Sequence, residues 1–123
     1  MEKEINYDNK PWVKFYEPGI KSELEYEEMT LPQYFDRTVK QFPDNMALNF
    51  MGYRITFKQL NEMVGRMVAA LKSFGVKKGD KVALVLPNMI PTVVAQYAVL
   101  KLGAIVVMNN PLYSDREIKH QVN

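Results

Sequence analysis

Apolar and polar positions divide the chain into a patternless start and a strongly patterned remainder. Residues 1–29 mix charges, aromatics and a Pro18-Gly19 turn, and neither a helical nor a strand period holds over a useful length. They are expected to form an extended arm whose Trp12, Phe15, Tyr16 and Tyr26 lie against a neighbouring surface, since so aromatic a segment gains from covering its rings. At Thr30 the pattern changes. Thr30-Leu31-Pro32-Gln33 supplies a capping hydroxyl, a first-turn proline and a glutamine able to reach back to the cap amide. A helix follows with Leu31, Tyr34, Phe35, Val39 and Phe42 on one stripe, and Pro43 stops it by disfavouring the α conformation at the residue before.

Met46 to Thr56 reads as two short strands around Met51-Gly52, with Met46, Leu48 and Phe50 on one face. An Asn-Gly pair would mark the hairpin turn more strongly. Thr56-Phe57-Lys58-Gln59 repeats the capping pattern and opens a second helix, whose stripe runs through Phe57, Leu60, Val64, Met67, Leu71 and Phe74. Gly75 suits the left-handed position just past its end, with Val76 placed to reach back to Leu71.

After the charged turn Lys77-Lys78-Gly79-Asp80, Val82 to Leu86 is an unbroken apolar run ending at Pro87, the pattern of a strand covered on both faces. Asn88 is the expected cap of a third helix over Met89 to Leu102, apolar nearly all round with Lys101 its one charge. Gly103 ends it and Ala104 to Met108 forms a second apolar strand. Strand, helix and strand make a βαβ unit, right-handed in ~98% of such crossovers. Ser114-Asp115-Arg116-Glu117 opens a last helix with another capping box, marked by Ile118 and Val122.

The fold class is therefore α/β: an N-terminal arm over residues 1–29, then a helix, a β-hairpin and a βαβ unit over residues 30–123, an incomplete subdomain. Two parallel strands and a hairpin leave open edges, and the third helix lacks enough apolar partners. Further polypeptide, forming a larger parallel-sheet domain, is expected to cover these surfaces.

Composition narrows the function. Sixteen Lys and Arg against 14 Asp and Glu give a formal charge of +2, with both signs interspersed, so nothing argues for nucleic acid. The chain has no cysteine, which removes disulfides, thiol nucleophiles and Cys-ligated zinc, and its single histidine argues against a His-based metal site. Its first residues carry no signal peptide, and no apolar run approaches the ~18 residues of a membrane span. A cytoplasmic location, at most peripheral to a membrane, is the expectation.

The chemistry-bearing candidates are few. Neither glycine-rich phosphate-binding pattern occurs, and Gly75 through Lys81 precedes a strand instead of following one, so it reads as a solvated turn. His120 has no nucleophile placed beside it, and the acidic run Glu23, Glu25, Glu27 and Glu28 reads as a solvated face, not a metal site. Asn109-Asn110-Pro111 follows the second parallel strand directly, where open α/β sheets tend to bind ligands, although Asn and Pro are also common turn formers.

In order along the chain stand Pro43-Asp44 with Ala47-Leu48, Ile55-Thr56-Phe57 with Leu60, Gly75-Val76, Gly79-Asp80-Lys81-Val82, Leu86-Pro87-Asn88, Gly103-Ala104, Asn110-Pro111-Leu112-Tyr113 and Glu117-Ile118. The ordered set resembles the adenylate-forming acyl-CoA synthetases, a group that includes beetle luciferases, aryl-CoA ligases and peptide-synthetase adenylation domains. Asn110-Pro111-Leu112-Tyr113 with Arg116-Glu117 and His120-Gln121 is most similar to the long-chain fatty-acid ligases, with aryl-CoA ligases close behind.

The resemblance implies the N-terminal piece of an ATP-dependent fatty-acid-CoA ligase, inactive alone. In the parent, ATP, CoA and magnesium would serve as cofactors and a fatty acid as substrate. No cofactor is expected to bind this piece by itself. Its partners would be the rest of its own chain and, through the arm and open sheet edge, a homo-oligomer. No catalytic residue carries over, because the family's phosphate loop, adenine-holding segment, ribose-binding acid and catalytic lysine have no counterpart here. Asn110, Pro111 and Leu112 correspond to a loop near the CoA nucleotide in some relatives and are the cofactor-binding candidates, although relatives with well-described contacts use other residue types there. Two other readings compete with it: a non-catalytic oligomerisation module, and a small Rossmann-like nucleotide binder, which the missing glycine fingerprint disfavours.

Overall fold

The computed structural model describes residues 10–122; residues 1–9 of the expected arm, and Asn123, lie outside the described residues. Beyond a single 3-10 turn at Val13–Phe15, the described arm has no regular element. Polar contacts hold it: Lys10 pairs with Glu23, and Glu27 pairs with Arg37 of the first helix. Trp12, Phe15, Tyr16 and Tyr26 remain exposed, against the expectation that a surface covers them. The acidic run is solvated as expected, with two of its members in those ion pairs.

Helix α1 spans Leu31–Gln41 behind a complete capping box, in which the Thr30 N–H donates to Gln33 Oε1 at 2.8 Å and the Gln33 N–H to Thr30 Oγ1 at 3.4 Å. Of its predicted stripe, Phe35 is buried and stacks on Tyr97 with ring centroids 4.5 Å apart. Leu31 opens the helix and Phe42 is its C-cap residue, and both stay largely exposed.

Strands β1 (Met46–Phe50) and β2 (Tyr53–Thr56) pair antiparallel. Met51 and Gly52 close the hairpin with φ of 51° and 87°, the doubly left-handed geometry that matches the twist of the flanking strands. The register shifts between Met46 and Leu48. That bulge breaks the alternation, so Met46 turns to solvent while Ala47 joins Leu48 as a partly buried residue; Phe50, at the turn, is exposed too.

Helix α2 (Phe57–Ser73) has the second complete capping box and ends as expected. Gly75 takes φ 88°, its N–H bonds the Lys72 carbonyl at 2.9 Å, and the Val76 N–H bonds the Leu71 carbonyl at 3.1 Å. Phe74 leaves the stripe because it is the C-cap residue, already off helical geometry, and its ring is exposed.

Strands β3 (Lys81–Val85) and β4 (Ile105–Asn109) form a parallel pair joined by α3 (Ile90–Lys101). The cap of α3 is Met89, not Asn88, and makes no side-chain cap bond; the Thr92 hydroxyl turns back to the Pro87 carbonyl instead. Gly103, at φ 70°, closes α3 with the same two-bond motif that ends α2. A final helix, α4, covers Asp115–Val122.

Nearly every residue of α3 is at least half-buried, so the helix finds its partners within the described chain, against the expectation that it lacks them. Ile90, Val94 and Ala98 recur at helical spacing and join Phe35, Ile55, Leu60 and Val64 in one core. Ala95 and Val99 of α3 are also buried, as are Leu84 and Ala104 at the sheet. Val64 and Ala98 have no exposed surface at all. Lys101 ties the three helices at their edge: its ammonium donates to Asp36 of α1 and Asn61 of α2 and lies 5.2 Å from the Phe35 ring centre. The strands are not covered on both faces, because among the described residues α3 packs against both of them and α4 touches β4 alone; Ala83, Val85, Ile105 and Met108 are exposed.

Two glycines should respond oppositely to substitution. Gly75→Val is expected to cost about 1–2 kcal/mol, because left-handed backbone strains a β-branched residue. Gly65→Ala, mid-helix with open space where a Cβ would stand, should stabilise by about 0.5–1 kcal/mol. Urea unfolding of both variants checks the pair.

Candidate functional site

The carboxyl ends of β3 and β4 open onto a cleft of about 510 Å³. One wall is Leu86-Pro87-Asn88, the turn from β3 into α3; the other is Met108 through Leu112, where β4 runs out. Two parallel strands thus release their loops side by side, with α3 fixing the spacing between them.

Asn109 anchors the second loop. It is 3% exposed, its Nδ2 donates to the Val107 carbonyl at 2.9 Å, and its Oδ1 is buried without a hydrogen-bond partner among the described residues. Asn110 shapes the turn that follows. Its Oδ1 accepts the Leu112 N–H at 3.0 Å and its carbonyl accepts the Tyr113 N–H at 3.0 Å, which leaves the Leu112 side chain projecting into solvent. The structure therefore brings Asn110, Pro111 and Leu112 together on one rim. Asn109, which the sequence groups with Asn110 and Pro111 at the end of the strand but which is not among the cofactor-binding candidates, is the buried member; the signal for it was a polar residue closing an otherwise apolar strand.

Among the described residues no ionisable side chain lines this cleft. It can bind and orient a ligand through amide groups, backbone and apolar contact, but it holds no general acid, base or nucleophile. The other candidates are dispersed. His120 stands exposed with Tyr113, Arg116 and Gln121 around an open polar hollow on α4. The Gly75–Lys81 turn spends its amides internally, Lys77 N–H on Asp80 Oδ2 at 2.7 Å and Gly79 N–H on the Gly103 carbonyl at 3.0 Å.

At the start of α4, Glu117 accepts the Ser114 N–H at 2.8 Å and the Ser114 hydroxyl at 2.7 Å. These bonds, first the hydroxyl and then the amide, hold its carboxyl below the usual range.

A family model described as AMP-binding enzyme matches residues 35–123, most of the chain. This chain belongs to the AMP-binding enzyme family. It is 38% identical over 113 residues to a long-chain-fatty-acid-CoA ligase of Bacillus subtilis, covering 92% of this chain and 20% of that ligase. A ligase of the same name from Escherichia coli O6:H1 is 37% identical over 116 residues, covering 93% of this chain and 21% of its own length. Among solved structures, the Klebsiella oxytoca NpsA N-terminal subdomain in complex with anthranilyl-AMSN is similar at a TM-score of 0.73 and 30% identity, over 75% of this chain and 24% of that one. Mycobacterium tuberculosis fatty acyl CoA synthetase is similar at 0.69 and 27% identity, over 72% and 18%. The α/β architecture of this chain is that of the acyl-CoA synthetase-like fold, and the chain spans about a fifth of the length of its curated relatives.

The Ser114–Glu117 cap sets a pH dependence. Because the folded carboxyl is depressed, its contribution to α4 is present above the unfolded pKa and is lost as pH falls through the folded one. A carboxyl NMR titration should place Glu117 below an unstructured glutamate, and Ser114→Ala should return it towards the ordinary value.

Proposed function

We propose that the chain is the N-terminal part of an ATP-dependent fatty-acid-CoA ligase, with residues 30–123 as one part of its N-terminal subdomain. In the whole enzyme the fatty-acid carboxylate would displace pyrophosphate from ATP, and the CoA thiol would then displace AMP. The reaction replaces a poor leaving group on the acyl carbon with a good one. The observation that carries this reading is the agreement of relatives with that name at 35–38% identity over nearly all of this chain. Magnesium would offset phosphate charge in the first step. Among the described residues no three acidic or histidine side chains converge to hold it, so no step through the metal is assigned to them.

Within that reading, the cleft beside Asn110, Pro111 and Leu112 contributes binding only. Its amide and apolar surface suits the nucleotide end of CoA, which needs positioning and no proton transfer. A second reading, an aryl-CoA ligase, is favoured by the aromatic acyl groups named for the NpsA complexes, such as anthranilyl-AMSN. The fatty-acid reading ranks first because its sequence relatives match more of this chain.

A chimera tests the proposal directly. With this chain in place of the matching segment of the Bacillus subtilis ligase, thioester formation from a long-chain fatty acid, ATP and CoA should persist, while the 123-residue chain alone should show no ATP-pyrophosphate exchange. A folded chimera that adenylates benzoate in preference to a fatty acid, or neither acid, would contradict it.

A further inference from the structure

Helices α2 and α3 leave a groove of about 320 Å³ between them. Met63, Arg66, Met67 and Ala70 line it from α2 at positions i, i+3, i+4 and i+7, and Pro91 and Val94 line it from the start of α3, so one stripe of each helix makes each wall. Val94 is its buried member, Met63 and Met67 are half-buried, and Ala70, small and exposed, keeps it open to solvent. The groove shares no residue with the lining of the cleft at the strand ends.

Among the described residues Arg66 is the one ionisable group in that lining. It is exposed and makes no ion pair with them, although Glu62 stands one turn before it on the same helix. Apolar walls thus adjoin a single cation that nothing neutralises. The two methionines make those walls adaptable, since the thioether chain is unbranched and flexible.

The dimensions of the groove select its occupant. From Met63 to Ala70 it follows α2 for about 10 Å, and 320 Å³ spread over that length leaves a section of about 30 Å². A partner helix, about 10 Å across, is too wide for it. A single alkyl chain fits, and a chain ending in a carboxylate meets a guanidinium, the cation whose planar fork matches that head group. The geometry points to a second ligand site: the α2–α3 groove binds a medium- or long-chain carboxylate, with the alkyl chain against Met63, Met67 and Val94 and the head group on Arg66. The inference stands on the groove and its charge and does not require the ligase reading.

NMR of the 123-residue chain labelled at its methionine methyls tests it, with octanoate as the probe. Octanoate should move the Met63 and Met67 signals saturably and leave those of Met46, Met51, Met89 and Met108 in place. Hexanoate should bind more weakly, by up to about fourfold for each methylene removed. Octyltrimethylammonium, the same chain on a cation, should also bind more weakly than octanoate. Arg66→Gln should weaken octanoate by about two- to fivefold, the range of an exposed ion pair, without weakening the cation. Ala70→Trp, which fills the groove from an exposed position, should abolish the response of both methionines while circular dichroism verifies that the helices remain. In the chimeric ligase the same two signals should respond with a full-length chain around them. Shifts at Met89 and Met108, which line a separate hollow beside β1, would overturn the proposal. So would equal binding of the cation, an unchanged response in folded Ala70→Trp, no response to octanoate, or a groove that the rest of the chimera closes to it.

Discussion

Helix α3 must be buried nearly all round, and that requirement organises the molecule. With Lys101 its one charge, it has no face to offer water over most of its length. Its Ile90, Val94 and Ala98 join the core that α1, α2 and the hairpin line, and Ala95 and Val99 are buried with them. Ala98 matters by being small: a side chain with no exposed surface in that core lets α2 approach closely. Even the charge is used, since Lys101 reaches from the end of α3 to Asp36 and Asn61.

The cleft follows from the same packing. Because α3 connects β3 to β4 in parallel register, the loops after Val85 and Asn109 must emerge together. Burial of Asn109 then sets where Asn110, Pro111 and Leu112 begin, and the Asn110 turn sets where they point. Among the described residues the lining carries no ionisable group, so these side chains can hold a ligand but offer no group for proton transfer or nucleophilic attack.

Local chemistry was legible in the sequence to within a residue or so. The capping boxes at Thr30 and Thr56 and the glycine ends at Gly75 and Gly103 involve groups within a few positions of one another, so reading neighbours suffices. What escaped depends on distant partners. Phe74 continues a perfect stripe but falls one residue past the helix, the bulge at Met46 depends on pairing with Thr56, and the open face of β3 and β4 depends on how many helices pack there. The position of the candidate site was readable from strand order, since parallel strands direct their carboxyl ends to one edge. Burial of Asn109 was not, because the same residue type commonly serves in solvated turns.

Native-state hydrogen exchange measures the central claim residue by residue. If α3 is the shared core, amides from Val94 to Val99 should exchange slowest of all, with an opening free energy equal to that of global unfolding, while α4 and the arm exchange at low cost. Exchange of the α3 amides as fast as those of α4 would contradict the account.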